Sequence, residues 1–471
     1  MSVTLNKGQQ QVLKDIEAFL DSDQYDTFIL KGYAGTGKTF LMQLLSDKLA
    51  AQKISFKLLA TTGRAAAILR GKTQKSVRTV HGELYFFNSL SGMPENEEDL
   101  LQPDKYGQLE LLFDCRPPDK EKCVYIVDEA SMLSNAKDSQ TSFAIFGTGI
   151  LLHDLFNAIG ENKIIFVGDP CQLPPVNQSF SPALDETHLT IHYNRKVTSG
   201  ELVEIVRIDS SNDVLTVATE LRHLAQFTPN IRYPKLPAKG RNNVIIYGNP
   251  HELVYQYLQA VSQKGMERVI AIARSNATCH RINEHVRRHL WGDSRSPLQA
   301  GDVLMVTQNN YLVPLTNGDF VEVLEVGYEK HEGGLSFLEV RVRHLLTRQE
   351  HAVMLVKELL NGSQANITKE QSRSLIMSFT KRMKEKGILP KSEQYQEAMS
   401  KDPFLNSLRA VYGYAVTCHK AQGGEWDDVY LFLKKFHTPT EADRKNLIRW
   451  WYTSVTRTRN TLHLHNDWWV Q

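Results

Sequence analysis

Residues 26–49 read D-T-F-I-L-K-G-Y-A-G-T-G-K-T-F-L-M-Q-L-L-S-D-K-L. A short apolar run, Phe28 to Leu30, predicts a buried strand, and Leu41, Leu44, Leu45 and Leu49 recur at helical spacing. Between them, G-Y-A-G-T-G-K-T matches G-x-x-x-x-G-K-[ST], a loop that wraps a polyphosphate. Gly32, Gly35 and Gly37 free the backbone to turn its N–H groups inward, and Ala34 and Thr36 add their amides to the cradle. The start of the following helix adds partial positive charge. Lys38 has the reach for the β/γ-phosphates, and the Thr39 hydroxyl suits a Mg²⁺ ion. The competing reading is a chance match in a glycine-rich turn, which the strand before and the helix after argue against.

Two further strand-to-polar transitions extend outward from that loop. In C-V-Y-I-V-D-E-A-S-M (123–132) an apolar strand delivers Asp128 and Glu129 to its C-terminal end, where α/β sheets bind ligands. Asp128 suits the Mg²⁺ shell and Glu129 the activation of water. In K-I-I-F-V-G-D-P-C-Q-L-P-P-V (163–176), Asp169 and Gln172 are candidates to sense a γ-phosphate through Mg²⁺ or water, and Pro174 and Pro175 stiffen the exit by fixing φ. Each alone is an ordinary strand followed by a turn.

Taken together, these segments resemble the superfamily 1 helicases, in particular the 5′→3′ branch of RecD-like and Dda-like DNA helicases. The resemblance runs nearly the whole chain. L-N-K-G-Q (5–9) looks like the adenine-reading segment, which gives Gln9 that role. A-T-T-G-R-A-A-A-I-L (60–69) resembles the first DNA-contact motif, with Thr62, Gly63 and Arg64, although Thr61 stands where proline is usual. T-V-H-G-E-L (79–84) resembles the next, with Thr79 and His81. In the C-terminal half, R-S-N-A-T-C-H-R-I-N (274–283) carries Asn276, with Ser275 in place of the usual threonine. Y-G-Y-A-V-T-C-H-K-A-Q-G-G-E-W (412–426) resembles the fifth motif. The resemblance implies that Thr417, His419, Lys420 and Gln422 face DNA phosphate and the nucleotide cleft, and Gly424 the nucleotide. R-W-W-Y-T-S-V-T-R-T-R-N (449–460) resembles the sixth, which makes Arg457 the arginine finger. Without that resemblance Arg457 reads as a helix-end arginine near backbone carbonyls. Arg459 suits a carboxylate of its own lobe. H-L-T-I-H-Y-N-R-K (188–196) supplies Arg195 as the fourth-motif arginine, one residue beyond the usual spacing, or else as an exposed loop residue.

The implied fold is α/β: two RecA-like parallel-sheet lobes, each with an insertion. The first lobe is expected at 1–81 and 121–190, with a hairpin or pin insertion at 82–120. The second is expected at 191–309 and 411–471, with an SH3-like, barrel-type accessory insertion at 310–410. Within the pin, Phe86 or Phe87 either stacks on a base or packs beneath the hairpin. Alternation in 321–328 and 337–346 around H-E-G-G predicts a second hairpin, and a charged helical run follows near 381–387.

Composition sets the outer limits. The 471 residues allow two to four domains at about 100–200 residues each. A net charge of +2 leaves any basic surface local. Five scattered cysteines without a C-x-x-C pair fit a reducing compartment and argue against zinc, and His280, His285 and His289 lack the carboxylates or thiolates that would complete a metal site. The start lacks a secretory signal and no run of about 18 apolar residues appears, so a cytoplasmic protein without a membrane partner is expected. The resemblance implies an ATP- and Mg²⁺-dependent monomer acting on single-stranded DNA and single-strand–duplex junctions, with possible protein partners in replication or repair. Its rivals are a DNA-stimulated ATPase that switches without unwinding, a RecD-like subunit of a larger nuclease complex, and a P-loop kinase or GTPase. The last leaves the C-terminal half without a purpose.

Overall fold

The computed structural model describes residues 5–91, 110–137, 144–206, 212–227, 233–310, 312–362, 364–390, 392–433 and 440–471. The strand containing Phe28 to Leu30 runs Thr27–Gly32, buried along nearly its whole length, and Lys38–Ala51 follows as a helix. Burial on both faces is what a central strand of a parallel sheet requires, and it explains why these segments are continuously apolar rather than alternating. The first sheet is parallel throughout. Its order is Val77–Thr79, Phe56–Ala60, Val124–Asp128, Lys163–Gly168, Thr27–Gly32 and Val197–Leu202. The strands ending in Gly32, Asp128 and Gly168 thus lie side by side and discharge their polar residues at one edge.

A second parallel sheet runs Val244–Tyr247, Thr458–His465, Trp426–Phe432, Val269–Ala273 and Ala415–Thr417. Helix Glu441–Val455 precedes the strand Thr458–His465 and buries Trp450, Trp451 and Tyr452. The accessory region is a five-stranded antiparallel sheet, Glu350–Val356, Leu335–His344, Phe320–Glu332, Val303–Val306 and Ala410–Tyr412. Helices Lys369–Glu385 and Glu393–Lys401 lie between its last two strands in sequence. The expected hairpin turns at Gly333 and Gly334, both at positive φ.

Two segments fall elsewhere than the reading places them. Val197–Leu202, expected to open the second lobe, pairs in parallel with Thr27–Gly32 and completes the first sheet. Its alternating, half-exposed burial suits an edge strand. The pin insertion also has three strands rather than two: Tyr85–Ser91 and Glu110–Cys115 pair antiparallel, and Ala144–Phe146 joins Glu110–Cys115 in parallel. Between the pin and the accessory helices lies an apolar cleft lined by Phe87, Leu111, Ile376, Met399 and Leu405.

A buried carboxylate is one of the groups that join the accessory sheet to the second lobe. Asp302 accepts from Arg287 at 3.1 and 3.2 Å, Trp291 at 3.1 Å, the Tyr414 hydroxyl at 2.7 Å and the Gln299 amide at 2.9 Å. Arg287 and Asp302 are fully buried. Removing one partner of such a pair strands the other charge in low dielectric. Asp302→Ala is therefore expected to cost about 3–5 kcal/mol, read as a lowered urea midpoint, while Arg287 and Asp302 replaced together lose less than the two single losses summed.

Candidate functional site

The phosphate loop has the geometry its sequence requires. Gly35 and Gly37 stand at φ 79° and 84°, a region closed to most L-residues. A Cβ on Gly37 would come within 2.5 Å of the Gln9 amide nitrogen. Gln9 is buried, and its Nε2 donates to the Thr36 carbonyl at 3.1 Å. Lys38 Nζ donates to the Gly32 and Tyr33 carbonyls at 2.7 and 3.1 Å, so the ammonium is folded back over the cradle. Thr39 is the second residue of the helix that starts there.

Asp128 ends its strand at the same edge. Burial, and then the charge of neighbouring Glu129, push its carboxyl up to about 7. Glu129 sits in the left-handed region at φ 52°, and strain of that kind is common where a side chain must be aimed. Asp128, with the Glu129 carboxylate beside it, and the Thr39 hydroxyl at the start of the loop's helix offer oxygen donors of the kind Mg²⁺ takes. With the glycine cradle and Lys38, this set fits a Mg²⁺–nucleotide.

The second lobe meets this edge directly. The Tyr452 hydroxyl donates to the Asp169 carboxylate at 2.6 Å and accepts from the Ala34 N–H at 3.1 Å. Next along the helix, Thr453 Oγ1 accepts from the Leu173 N–H at 2.9 Å. Gln422 Nε2 donates to the Leu173 carbonyl at 3.0 Å. Asp169 is completely buried, which raises its carboxyl, against the opposing pull of Lys38 from one lobe and Arg457 from the other. The Oε1 atoms of Gln172 and Gln422 are buried without a hydrogen-bond partner among the described residues. Such atoms carry a desolvation cost that a bound polar group would relieve.

Arg457 is buried at the end of this helix. All of its hydrogen bonds go to neutral oxygens: Thr453 O at 3.0 Å, Gly424 O at 3.2 Å and Thr456 Oγ1 at 3.1 Å. Arg459 instead pairs with Glu425 of its own lobe at 3.3 Å. A Cβ on Gly424 would run into the Arg64 Nε and the Trp426 ring.

Arg195 is a correction. Its guanidinium pairs with Asp26 at 2.9 Å and donates to Thr27 Oγ1 and to the Gly160 and Asn162 carbonyls. That is the N-terminal end of strand Thr27–Gly32, about 16 Å along the strand from the phosphate loop. The preceding helix Glu186–Tyr193 ends at Asn194 in the left-handed conformation, which turns Arg195 under the sheet. Further on, the Val206 N–H donates to the Gly35 carbonyl at 2.9 Å, so the chain does reach the loop eleven residues later. Arg207, next in sequence, lies outside the described residues.

Arg64 is a second correction. It is buried at the lobe interface, 4.1 Å from the Trp426 ring centroid and 5.1 Å from Phe320, and burial pulls its guanidinium down to about 10. Gly63 is covered by Thr316 of the accessory region, so closely that a Cβ would collide with it. Both residues are buried where DNA contacts were expected at the surface. Thr62 caps the helix Gly63–Thr73.

The other proposed DNA contacts lie nearer the surface. Thr79 caps the helix Val80–Leu84, and His81 rests against the Tyr85 and Phe146 rings. Asn276, Thr417 and Lys420 share one small cleft, and Lys420 Nζ donates to Asn317 Oδ1 at 2.7 Å. Burial lowers both His419 and Lys420, the latter to about 8. The two pin phenylalanines divide the alternatives: Phe86 is 42% exposed, whereas Phe87 packs on Phe113 and the accessory helices. Tyr33, Tyr452 and Thr453 escaped the sequence reading, although two of them stand inside the motif that supplied Arg457. Among the described residues no three or more His, Cys, Asp or Glu side chains gather as a metal-binding group, and no helix is long and apolar enough to cross a membrane. All five cysteines are free.

The AAA-domain family matches residues 4–225, and the UvrD-like helicase C-terminal domain matches 412–465. The ATP-dependent RecD2 DNA helicase of Deinococcus radiodurans is 24% identical over 438 residues, which is 92% of this chain and 46% of that protein. An uncharacterized protein of Methanocaldococcus jannaschii is 33% identical over 154 residues, 31% of this chain and 11% of its own. The chain thus spans less than half the length of these curated relatives. A solved Pif1 helicase from Bacteroides, in complex with ADP-AlF3 and single-stranded DNA, shares the fold: TM-score 0.50, 15% identity, over 99% of this chain and 93% of its own.

The placement of Arg195 sets a test. Arg195→Ala is expected to lower stability by about 2–3 kcal/mol through its lost charged hydrogen bonds, and to leave ATP turnover per folded molecule within about twofold, since typical catalytic arginines contribute orders of magnitude more. Urea unfolding and steady-state turnover on the same preparation check both.

Proposed function

We propose that this chain, a relative of the superfamily 1 helicases of the RecD-like 5′→3′ branch, is an ATP-driven motor that moves 5′→3′ along single-stranded DNA and separates duplex at junctions. One observation carries the reading most directly: the helix leading to Arg457 on the second lobe is hydrogen-bonded to the phosphate loop and to Asp169 on the first. Two lobes that share a nucleotide edge convert hydrolysis into relative movement. A kinase or GTPase needs no such second lobe.

Within that reading, Lys38 and the loop amides hold the phosphates, Thr39 and Asp128 hold Mg²⁺, and Glu129 orients the attacking water. Gln172 offers its unpartnered Oε1 to the same cluster. Arg457, held only by neutral oxygens, is a buried cation that an added phosphate would neutralise. A bound nucleotide supplies the charge that draws the two lobes together. Arg195 has no part in this. The strand runs over Thr79 and His81 on the first lobe and Asn276, Thr417, His419 and Lys420 on the second, held through phosphate rather than sequence. Phe86 is the base-stacking candidate at the pin.

Tailed duplexes give the decisive experiment. Wild type is expected to hydrolyse ATP faster with single-stranded DNA and to open a 5′-tailed but not a 3′-tailed duplex. Lys38→Ala should abolish turnover and still bind DNA. Arg457→Ala should bind nucleotide and lose about 10³-fold or more in turnover. DNA-stimulated hydrolysis without unwinding would replace the motor by a switch, and opening only from a 3′ tail would reverse the polarity.

Lys420 adds a pH dependence. Its ammonium binds phosphate below about pH 8 and loses its proton above it, so DNA affinity is highest below that value and falls as pH rises. At fixed salt, anisotropy should show a loss of about threefold to tenfold between pH 7 and 9. Lys420→Arg should flatten it, because a guanidinium stays charged across that range.

A further inference from the structure

Tyr452 has one hydroxyl and two claimants. Its proton goes to Asp169 at 2.6 Å and a lone pair takes the Ala34 N–H at 3.1 Å. Tyr452 is 1% exposed and Asp169 is 0% exposed, so water cannot stand in for either partner. The Ala34 amide belongs to the loop that wraps phosphate, and Asp169 opens the segment that reaches Leu173. Leu173 is held from both sides by the second lobe, its N–H by Thr453 and its carbonyl by Gln422. Tyr452 and Thr453 are neighbours in one helix, and Arg457 follows one turn later. The phosphate loop, the Asp169–Leu173 segment and the finger helix thus meet through a single phenol.

We propose that Tyr452 is the positioning residue through which the phosphate loop reports its nucleotide state to the second lobe, by exchanging the Ala34 amide between the phenol and the nucleotide. The inference rests on the reading of this cleft as an ATP site. Loop amides turn toward phosphate when it binds. An amide drawn to phosphate leaves the phenol oxygen one partner short in a dry environment, and the helix must shift to restore the bond or find another. Because the same helix carries Thr453 and ends at Arg457, that shift moves the grip on Leu173 and the guanidinium together. Tyr452 need not touch a reacting atom to do this.

The test is Tyr452→Phe in the full chain, which keeps the ring and deletes the hydroxyl. Three quantities are read: the ratio of turnover with and without a single-stranded oligonucleotide, the change in oligonucleotide affinity caused by a non-hydrolysable ATP analogue, and the melting temperature. A coupling residue is expected to collapse the stimulation ratio and the nucleotide-linked affinity change by about tenfold, within the usual range of linkage between sites. A residue that only packs the helix would move the melting temperature and leave both ratios at their wild-type values, and that result overturns the proposal. Should the variant not fold, hydrogen exchange on the wild type decides instead. Amides of 441–455 are expected to change protection when the analogue binds, and unchanged protection overturns the proposal. Wild type lacking ATP turnover altogether would refute the ATP-site reading itself, whereas a stimulated wild type matched by an equally stimulated variant refutes only the coupling.

Discussion

Three parallel strands that end at one edge are the constraint on which the rest of this molecule depends. Thr27–Gly32, Val124–Asp128 and Lys163–Gly168 are neighbours in a single sheet. Their residues after the last buried position are therefore neighbours as well. The glycine cradle, the Asp128–Glu129 pair and the Asp169–Gln172 turn need no long-range device to meet, because the ladder of backbone hydrogen bonds brings them together. The cost is electrostatic: Asp128 and Asp169 are buried carboxyls pushed up by desolvation. A buried acid without full compensation is a poor contributor to stability and a good one to binding.

The second lobe does not merely cover that edge. Tyr452, Thr453 and Gln422 reach across and bond backbone or carboxylate atoms of the first lobe. Arg64 goes the other way and lodges against Trp426 and Phe320. Arg457 and Arg459 lie close enough to oppose its charge. The carboxylates Asp319 and Glu425 act on Arg64 in the opposite sense.

Most of this was legible in the chain, for reasons that differ by element. The phosphate loop was readable because its glycines answer a steric demand that few other sequences meet. The strands at 124–128 and 163–168 were readable because burial on both faces leaves an unbroken apolar run. Arg195 was misplaced because nothing local records that Asn194 adopts the left-handed turn that sends it beneath the sheet. Val197–Leu202 was assigned to the wrong lobe because an edge strand, half exposed, carries no apolar run to count. Arg64 stands in a DNA-contact motif, and only the partner rings at 320 and 426, hundreds of residues away, reveal that it is interior. Tyr452 looked like core, which it is; its hydroxyl has meaning only beside Ala34 and Asp169, on the far side of the cleft.

The knot of bonds around Asp302 has a mechanical side. It joins helix Asn276–Trp291 of the second lobe, Tyr414 and the start of strand Val303–Val306, so the antiparallel sheet and its parent lobe share one buried set of bonds. In the motor proposed above, a rotation of the second lobe would carry the accessory sheet with it. The apolar seam where Ile376 and Met399 face Phe87 and Leu111 lies between that accessory region and the pin.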